Sequence, residues 1–272
     1  MKIGSLCTGY GGLDLAVEAF YNAETVWTCE YDKYASKVIE ARINKPNHGD
    51  LKTTDWTQVE PIDILTAGYP CQPFSYAGLR KGVDDERHLW PYIKEIIRVL
   101  RPKFVVLENV RGHFGLGFRE VISDLTFIGY DARWRIVRAS DVGAPHKRER
   151  IFILAYPSGP RREKSGSEFE SGFNDQFCKG ITLDSDFGKW GVSFSYEITD
   201  REVPTPLDKG KLNVKFVEYM MGLPSGWVTD LDLPRSQILK ILGNGVVPQQ
   251  AYKALEILNS YPQKLSPGYE QG

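Results

Sequence analysis

The chain has 272 residues, 42% of them hydrophobic and 25% charged, ordinary proportions for a globular protein that exclude disorder as its main state. At roughly 150 residues per domain it holds one large domain, or one large and one small. No stretch approaches the ~18 uninterrupted apolar residues of a membrane span, and a net charge of −1 gives no bulk attraction to nucleic acid, so any such argument is local.

In chain order, short apolar runs predict strands at Ile3–Cys7, Thr25–Cys29, Ile62–Gly68, Phe104–Glu108, Arg133–Val137 and Ile151–Ala155. Helical spacing lies between them, at Leu13–Phe20, Tyr34–Ile43, Leu89–Leu100 and Phe118–Ile128. Strands and helices alternating at this interval predict βαβ units and a largely parallel sheet, hence an α/β fold. The start of the chain runs straight into the first strand and lacks the apolar core and cleavage site of a signal peptide. Cys7, Cys29, Cys71 and Cys178 are scattered with no C-x-x-C pair. That is the pattern of free thiols in a reducing compartment, and no metal site is expected.

Past Tyr156 the character changes. Residues 156–210 are rich in Gly, Ser, Pro and Asp and show no helix-length periodicity. A helical face returns with Val214, Val217 and Met221, stopped by Gly222 and Pro224. A last helix starts at Pro248, with Ala251, Ala254, Leu255 and Leu258 as its apolar stripe. Charge is uneven: residues 130–165 carry nine Lys/Arg against four Asp/Glu, and residues 166–208 three against nine. The first stretch suits phosphates and the second repels them.

Three places carry chemistry. The first strand runs into Thr8-Gly9-Tyr10-Gly11-Gly12 and then a helix, a turn that lets a ligand approach the backbone beside a positive helix N-terminus. Glu30 ends the second strand, where an acid accepts hydrogen bonds from ribose hydroxyls; Tyr31 follows with an aromatic face, and Asp50 offers a carboxylate to an exocyclic amine. The second place is Gly68-Tyr69-Pro70-Cys71-Gln72-Pro73-Phe74-Ser75, where two prolines bracket a thiol at a strand end. Glu108 ends the next strand, and four preceding apolar residues predict a desolvated carboxyl with a raised pKa. A right-handed crossover makes these strands neighbours, their ends about 5 Å apart, so a nucleophile and a raised-pKa acid share one site. Third, Arg148 and Arg150 alternate by two, which predicts that both point to one side of an extended chain.

Pro70-Cys71-Gln72, Glu108-Asn109-Val110, Arg148-x-Arg150 and Gly243-Asn244-Gly245-Val246-Val247-Pro248, in this order, resemble the DNA cytosine C5-methyltransferase family. So do Gly9-Tyr10-Gly11-Gly12-Leu13-Asp14, Gly49-Asp50-Leu51 and Met221-Gly222-Leu223-Pro224. The motifs run from about residue 3 to 258 and leave 156–212 uncovered.

The resemblance implies a Rossmann-like, S-adenosylmethionine-dependent catalytic domain over 1–155. It further implies a small loop-rich target-recognition domain over 156–240 and a C-terminal segment, 241–272, that returns to the catalytic domain. It implies that Cys71 attacks C6 of a flipped cytosine, Glu108 holds N3 and the exocyclic amine, and Arg150 contacts O2 with Arg148 beside it. Cofactor contacts would come from Glu30 on the ribose, Tyr31 on the adenine face and Asp50 on its amine. Cys7, Thr8, Gly9, Gly11, Gly12, Leu51, Pro70, Asn244 and Val246 would complete that pocket. Gln72, Ser75, Asn109, His146 and Lys147 would face the target base or the DNA. The expected partner is double-stranded DNA rather than a membrane, the expected state a monomer in a bacterial cytoplasm, bacterial or phage-encoded. A cognate restriction endonuclease is a candidate companion.

The sequence departs from the family at Cys7, where Phe is usual, at His146, where Gln is usual, and in a short acidic 156–212 region. A tRNA-directed relative would carry a Cys-Phe-Thr tripeptide, absent here. A catalytically silent relative would have lost Cys71 or Glu108, and both are present. Transfer of a larger group from a modified sulfonium donor is left open by Cys7.

Overall fold

The computed structural model describes residues 1–70, 89–115, 117–159 and 203–260. Strand β1 (Lys2–Leu6) buries every residue after its first, as a strand covered on both faces must. It pairs in parallel with β2 (Glu24–Cys29) on one side and β3 (Ile64–Gly68) on the other, and β3 pairs in parallel with β4 (Phe104–Val110). Gly4 is required where it stands, because a Cβ there would lie 2.1 Å from the Trp27 indole.

The connecting helices are α1 (Gly12–Tyr21), α2 (Lys33–Arg42), α3 (Trp90–Leu100) and α4 (Phe118–Phe127). Alternation along the strands sends successive side chains to opposite faces. Leu65, Ala67, Val105 and Leu107 pack with Trp90, Ile93 and Ile97 of α3. Ile64 and Val106 pack on the other face with Leu13 and Val17 of α1. All four helices lie within a residue or two of the spans expected from periodicity.

The far end of the sheet departs from the parallel pairing that prevails over β1 to β4. Strands β5 (Tyr130–Arg138) and β6 (Glu149–Pro157) are joined by a short 3₁₀ turn, Ala139–Val142, and pair antiparallel. With no helical crossover between them, the chain can only reverse. Strand β6 also pairs antiparallel with β4, so the order is β2-β1-β3-β4-β6-β5.

After a small hairpin, β7 (Leu207–Asp208) and β8 (Lys211–Leu212), come α5 (Val214–Met220), α6 (Arg235–Asn244) and α7 (Pro248–Ser260). Helix α6 was not expected, although Ile238, Ile241 and Leu242 carry a helical stripe behind Pro234. The division expected at residue 240 falls inside it. Residues of α5, α6 and the loop between them share an apolar cluster with Tyr10, Ala35 and Val38 from the first part of the chain. Helix α7 lays Ala251, Ala254, Leu255 and Leu258 on the α1 face of the sheet. Among the described residues no helix is long and apolar enough to cross a membrane.

Candidate active site

The loops that carry chemistry lie at the carboxyl ends of β1 to β4, where open α/β sheets bind ligands. After β1, Cys7, Gly9 and Gly11 all have positive φ (53°, 60° and 83°), so the turn needs the two glycines. Gly11 caps α1 without a side-chain hydrogen bond, which leaves the first N–H groups of the helix for a ligand. A Cβ on Gly9 would meet nothing within 4 Å among the described residues. The Glu30 carboxylate accepts from the Gly9 N–H at 2.9 Å and the Asp32 N–H at 2.8 Å, and burial raises its pKa. Tyr31 is 80% exposed. Asn47, which sequence reasoning did not single out, accepts from the backbone N–H groups of Glu30 and Gly49, fixing the spacing between Glu30 and Asp50. Leu51 and Thr8 are buried beneath this rim.

The two cysteines here are quiet. Cys7 donates its N–H to the Cys29 carbonyl at 2.8 Å, and burial pushes its thiol well up. The Cys29 thiol donates to the Gly49 carbonyl at 3.2 Å and is pushed up to about 12, chiefly by burial.

At the other end, Gly68 of β3 stands opposite Glu108 of β4, so the strand that precedes Cys71 ends beside the acid as expected; β4 itself continues to Val110, held by its pairing with β6. Glu108 is 6% exposed. Burial pushes its carboxyl up to about 7 against the opposing pull of Arg150 and Arg148. Arg150 Nε lies 2.9 Å from Glu108 Oε1. The N–H is not aimed along that line, so Oε1 has no hydrogen-bond partner among the described residues. Oε1 is ion-paired but has no aligned donor, so it can accept from a group such as an amine or a ring N–H. Asn109 Nδ2 donates to the Tyr69 carbonyl at 3.1 Å, tying the segment that leads into Pro70.

The C-terminal motif closes the site from above. Tyr10 donates through its hydroxyl to the Val246 carbonyl at 2.7 Å, and a Cβ on Gly12 would lie 2.1 Å from that same oxygen. Val246 also reaches to within contact of Gly68. Arg148 departs from its expected geometry. Its φ is 29° and it precedes β6, so it is not extended beside Arg150. Its Nη2 donates to the carbonyls of Gly243 at 2.9 Å and Gly245 at 2.6 Å.

Residues 1–179 match the family described as C-5 cytosine-specific DNA methylase. The chain belongs to this family. Similar proteins include type II methyltransferase M.NgoBI of Neisseria gonorrhoeae, 39% identical over 160 residues, covering 57% of this chain and 50% of that one. Another is M1.ScrFI of Lactococcus lactis subsp. cremoris, 35% identical over 205 residues, 74% of this chain and 51% of its own. The chain spans about half the length of these relatives. Among solved structures, Entamoeba histolytica methyltransferase EhMeth superposes with a TM-score of 0.66 at 20% identity, covering 95% and 97% of the two chains. The Spodoptera frugiperda DNMT2 mutant structure gives 0.65 at 18%, covering 95% and 99%. At these identities the likeness speaks for the fold, a Rossmann-like α/β sheet with an antiparallel hairpin.

In this methylase the structure gathers Glu108, Arg150 and Gly68 at one end and Gly9, Glu30 and Asp50 at the other, with Val246 touching both Gly12 and Gly68 between them. Cys71, Gln72 and Ser75 lie outside the described residues. Asn244 is exposed at the end of α6, and Lys147 is exposed in the turn before β6. His146 donates from Nε2 to the Met220 carbonyl at 2.8 Å. It is therefore engaged with α5 rather than turned toward a phosphate.

Proposed function

We propose that this methylase transfers a methyl group from S-adenosylmethionine to C5 of a cytosine swung out of double-stranded DNA, through attack of Cys71 on C6. The observation that supports this most is the pairing of Gly68 with Glu108: the strand running into Pro70 and Cys71 ends beside a buried acid that Arg150 also faces.

The residues present suit the donor. Gly9, Gly11 and Gly12 open the backbone to a ligand at the start of α1, Glu30 offers a carboxylate to ribose hydroxyls, Tyr31 an aromatic face, and Asp50 an acceptor for an amine. When bound, S-adenosylmethionine supplies an electrophilic methyl group. C5 of cytosine is a poor nucleophile until the Cys71 thiolate adds at C6. That addition makes C5 an enamine carbon able to take a methyl group, and loss of the C5 proton then expels the thiolate. With a pKa of about 7, Glu108 holds a proton near neutral pH and gives it to N3 as the thiolate adds, neutralising the charge that develops there. Arg150 supports the carboxyl and reaches toward O2. The base must leave the duplex for any of these contacts to form.

The same reading covers the rest. A monomer acts on double-stranded DNA in a bacterial cytoplasm, with a cognate restriction endonuclease as companion. Bases flanking the target are read by side chains of 167–212, within the expected recognition segment.

DNA carrying 5-fluorocytosine at the target tests the chemistry, because fluorine at C5 cannot leave as a proton does. The native protein should give a covalent adduct and Cys71→Ala none. Chromatography of plasmid bases from an expressing host should show 5-methylcytosine. Methyl transfer by Cys71→Ala would overturn the mechanism.

A further inference from the structure

Building on that reading, we infer that Gln250 is a positioning residue for the target-base pocket: its side-chain amide holds the turn at Arg148 so that Arg150 meets Glu108. Gln250 sits in the first turn of α7 with no exposed surface. Its Nε2 donates to two backbone carbonyls, Val137 on β5 at 2.8 Å and Arg148 at 2.7 Å. Val137 is the cross-strand partner of Arg150. One amide therefore spans the mouth of the β5–β6 hairpin where its ladder opens, one residue before β6 begins.

The second observation is Arg148 itself. A non-glycine residue at φ 29° is strained, and such a conformation persists only where its surroundings over-determine it. Here residues 243–250 grip it from two sides. Gly243 and Gly245 accept from its guanidinium, and Gln250 donates to its carbonyl. The same segment accepts from Tyr10 through Val246. Two residues beyond the strained turn stands Arg150, so rotation at Arg148 swings Arg150 away from the acid.

The consequence is readable at Glu108. Among the described residues, the charged or titratable groups acting on its carboxyl are Arg150 from β6, Arg148 from the preceding turn and Tyr10 from the turn after β1. Gly68 of β3 and Val246 approach it without charge. Releasing the turn withdraws cations and leaves a buried acid, whose pKa then climbs further.

The test is a ¹³C titration of the Glu108 carboxyl, assigned with Glu108→Gln, in native protein, Gln250→Leu and Gln250→Asn. Leucine keeps the volume and removes both donated protons; asparagine is a methylene too short to reach both carbonyls. Both variants should show a Glu108 midpoint raised by about one pH unit. Their kcat should fall roughly ten- to a hundredfold, while affinity for S-adenosylmethionine stays within about threefold. A structural role alone would lower the melting temperature and leave the midpoint in place. That result in either folded variant would overturn the proposal. Since the titration needs no turnover, it separates failure of this inference from failure of the proposed chemistry, which would show as no transfer by the native protein.

Discussion

Glu108→Gln separates electrostatics from shape at the proposed catalytic acid. The carboxyl is 6% exposed, and burial carries its pKa from 4.5 to about 7. At 1.36 kcal/mol per pH unit, that displacement is worth roughly 3 kcal/mol. The folded-state pKa lies above the unfolded one, so the native protein keeps an extra proton across this window. Its stability from this group is fully present below pH 4.5 and is lost as pH rises through 7. Glutamine does not titrate. The variant carries a constant penalty for the altered contact with Arg150, but relative to the native protein it should gain about 2.5 kcal/mol between pH 5 and 8.5. Urea unfolding of both proteins at the two pH values measures this directly. Turnover should fall on the order of 10²–10⁴ while cofactor affinity holds, because Glu30 and Asp50 lie at the other end of the site. A stability difference identical at both pH values would refute the buried-acid argument. Lost cofactor binding with turnover preserved would refute the assignment of the site.

Gly12→Ala places a Cβ 2.1 Å from the Val246 carbonyl, and backbone must move, so a loss of about 1–3 kcal/mol is expected in thermal unfolding, with weaker cofactor binding by calorimetry. Asp14 accepts from the Ser5 and Thr66 hydroxyls, yet burial pushes it up to about 6. Asp14→Asn should therefore remove a decline in stability between pH 4 and 6, seen as a flatter curve of melting temperature against pH. Replacing Lys189, Arg201 or Lys211 should shift the methylated sequence in a methylome, and an unchanged context would remove base readout from 167–212. Replacing Lys147 or Arg161 should weaken binding to all DNA sequences and flatten its salt dependence in filter-binding titrations.

Much of the site was legible beforehand because its signals are local. Four apolar residues before Glu108 mark a desolvated acid, although the strand runs on to Val110 rather than ending there. Two glycines after an apolar run mark a turn with positive φ, found at Gly9 and Gly11. Partners that lie far along the chain leave no local signal. His146, expected to face the target base or the DNA, donates to the Met220 carbonyl. Asn109, expected at the substrate, secures the Tyr69 carbonyl. Arg148 was read as extended, because spacing by two says nothing about a residue that a distant helix forces into a left-handed turn.

What the sequence determined by itself is the alternation of strands and helices that builds the parallel part of the sheet. Strand and helix periods and the right-handed crossover rule point to β3 and β4 as neighbours, and the structure adds the register that sets Gly68 beside Glu108. Only the tertiary structure decided that β6 enters between β4 and β5, running against both. An apolar strand pairs equally well in either direction until the hairpin and its neighbours constrain it. That insertion delivers Arg150 to Glu108. The seating of the C-terminal segment was decided in the same way: Tyr10 meets Val246 across 236 residues. Contacts of such separation arise when helices α1, α6 and α7 bury their faces together, and no local pattern along the chain encodes which carbonyl a buried hydroxyl will find.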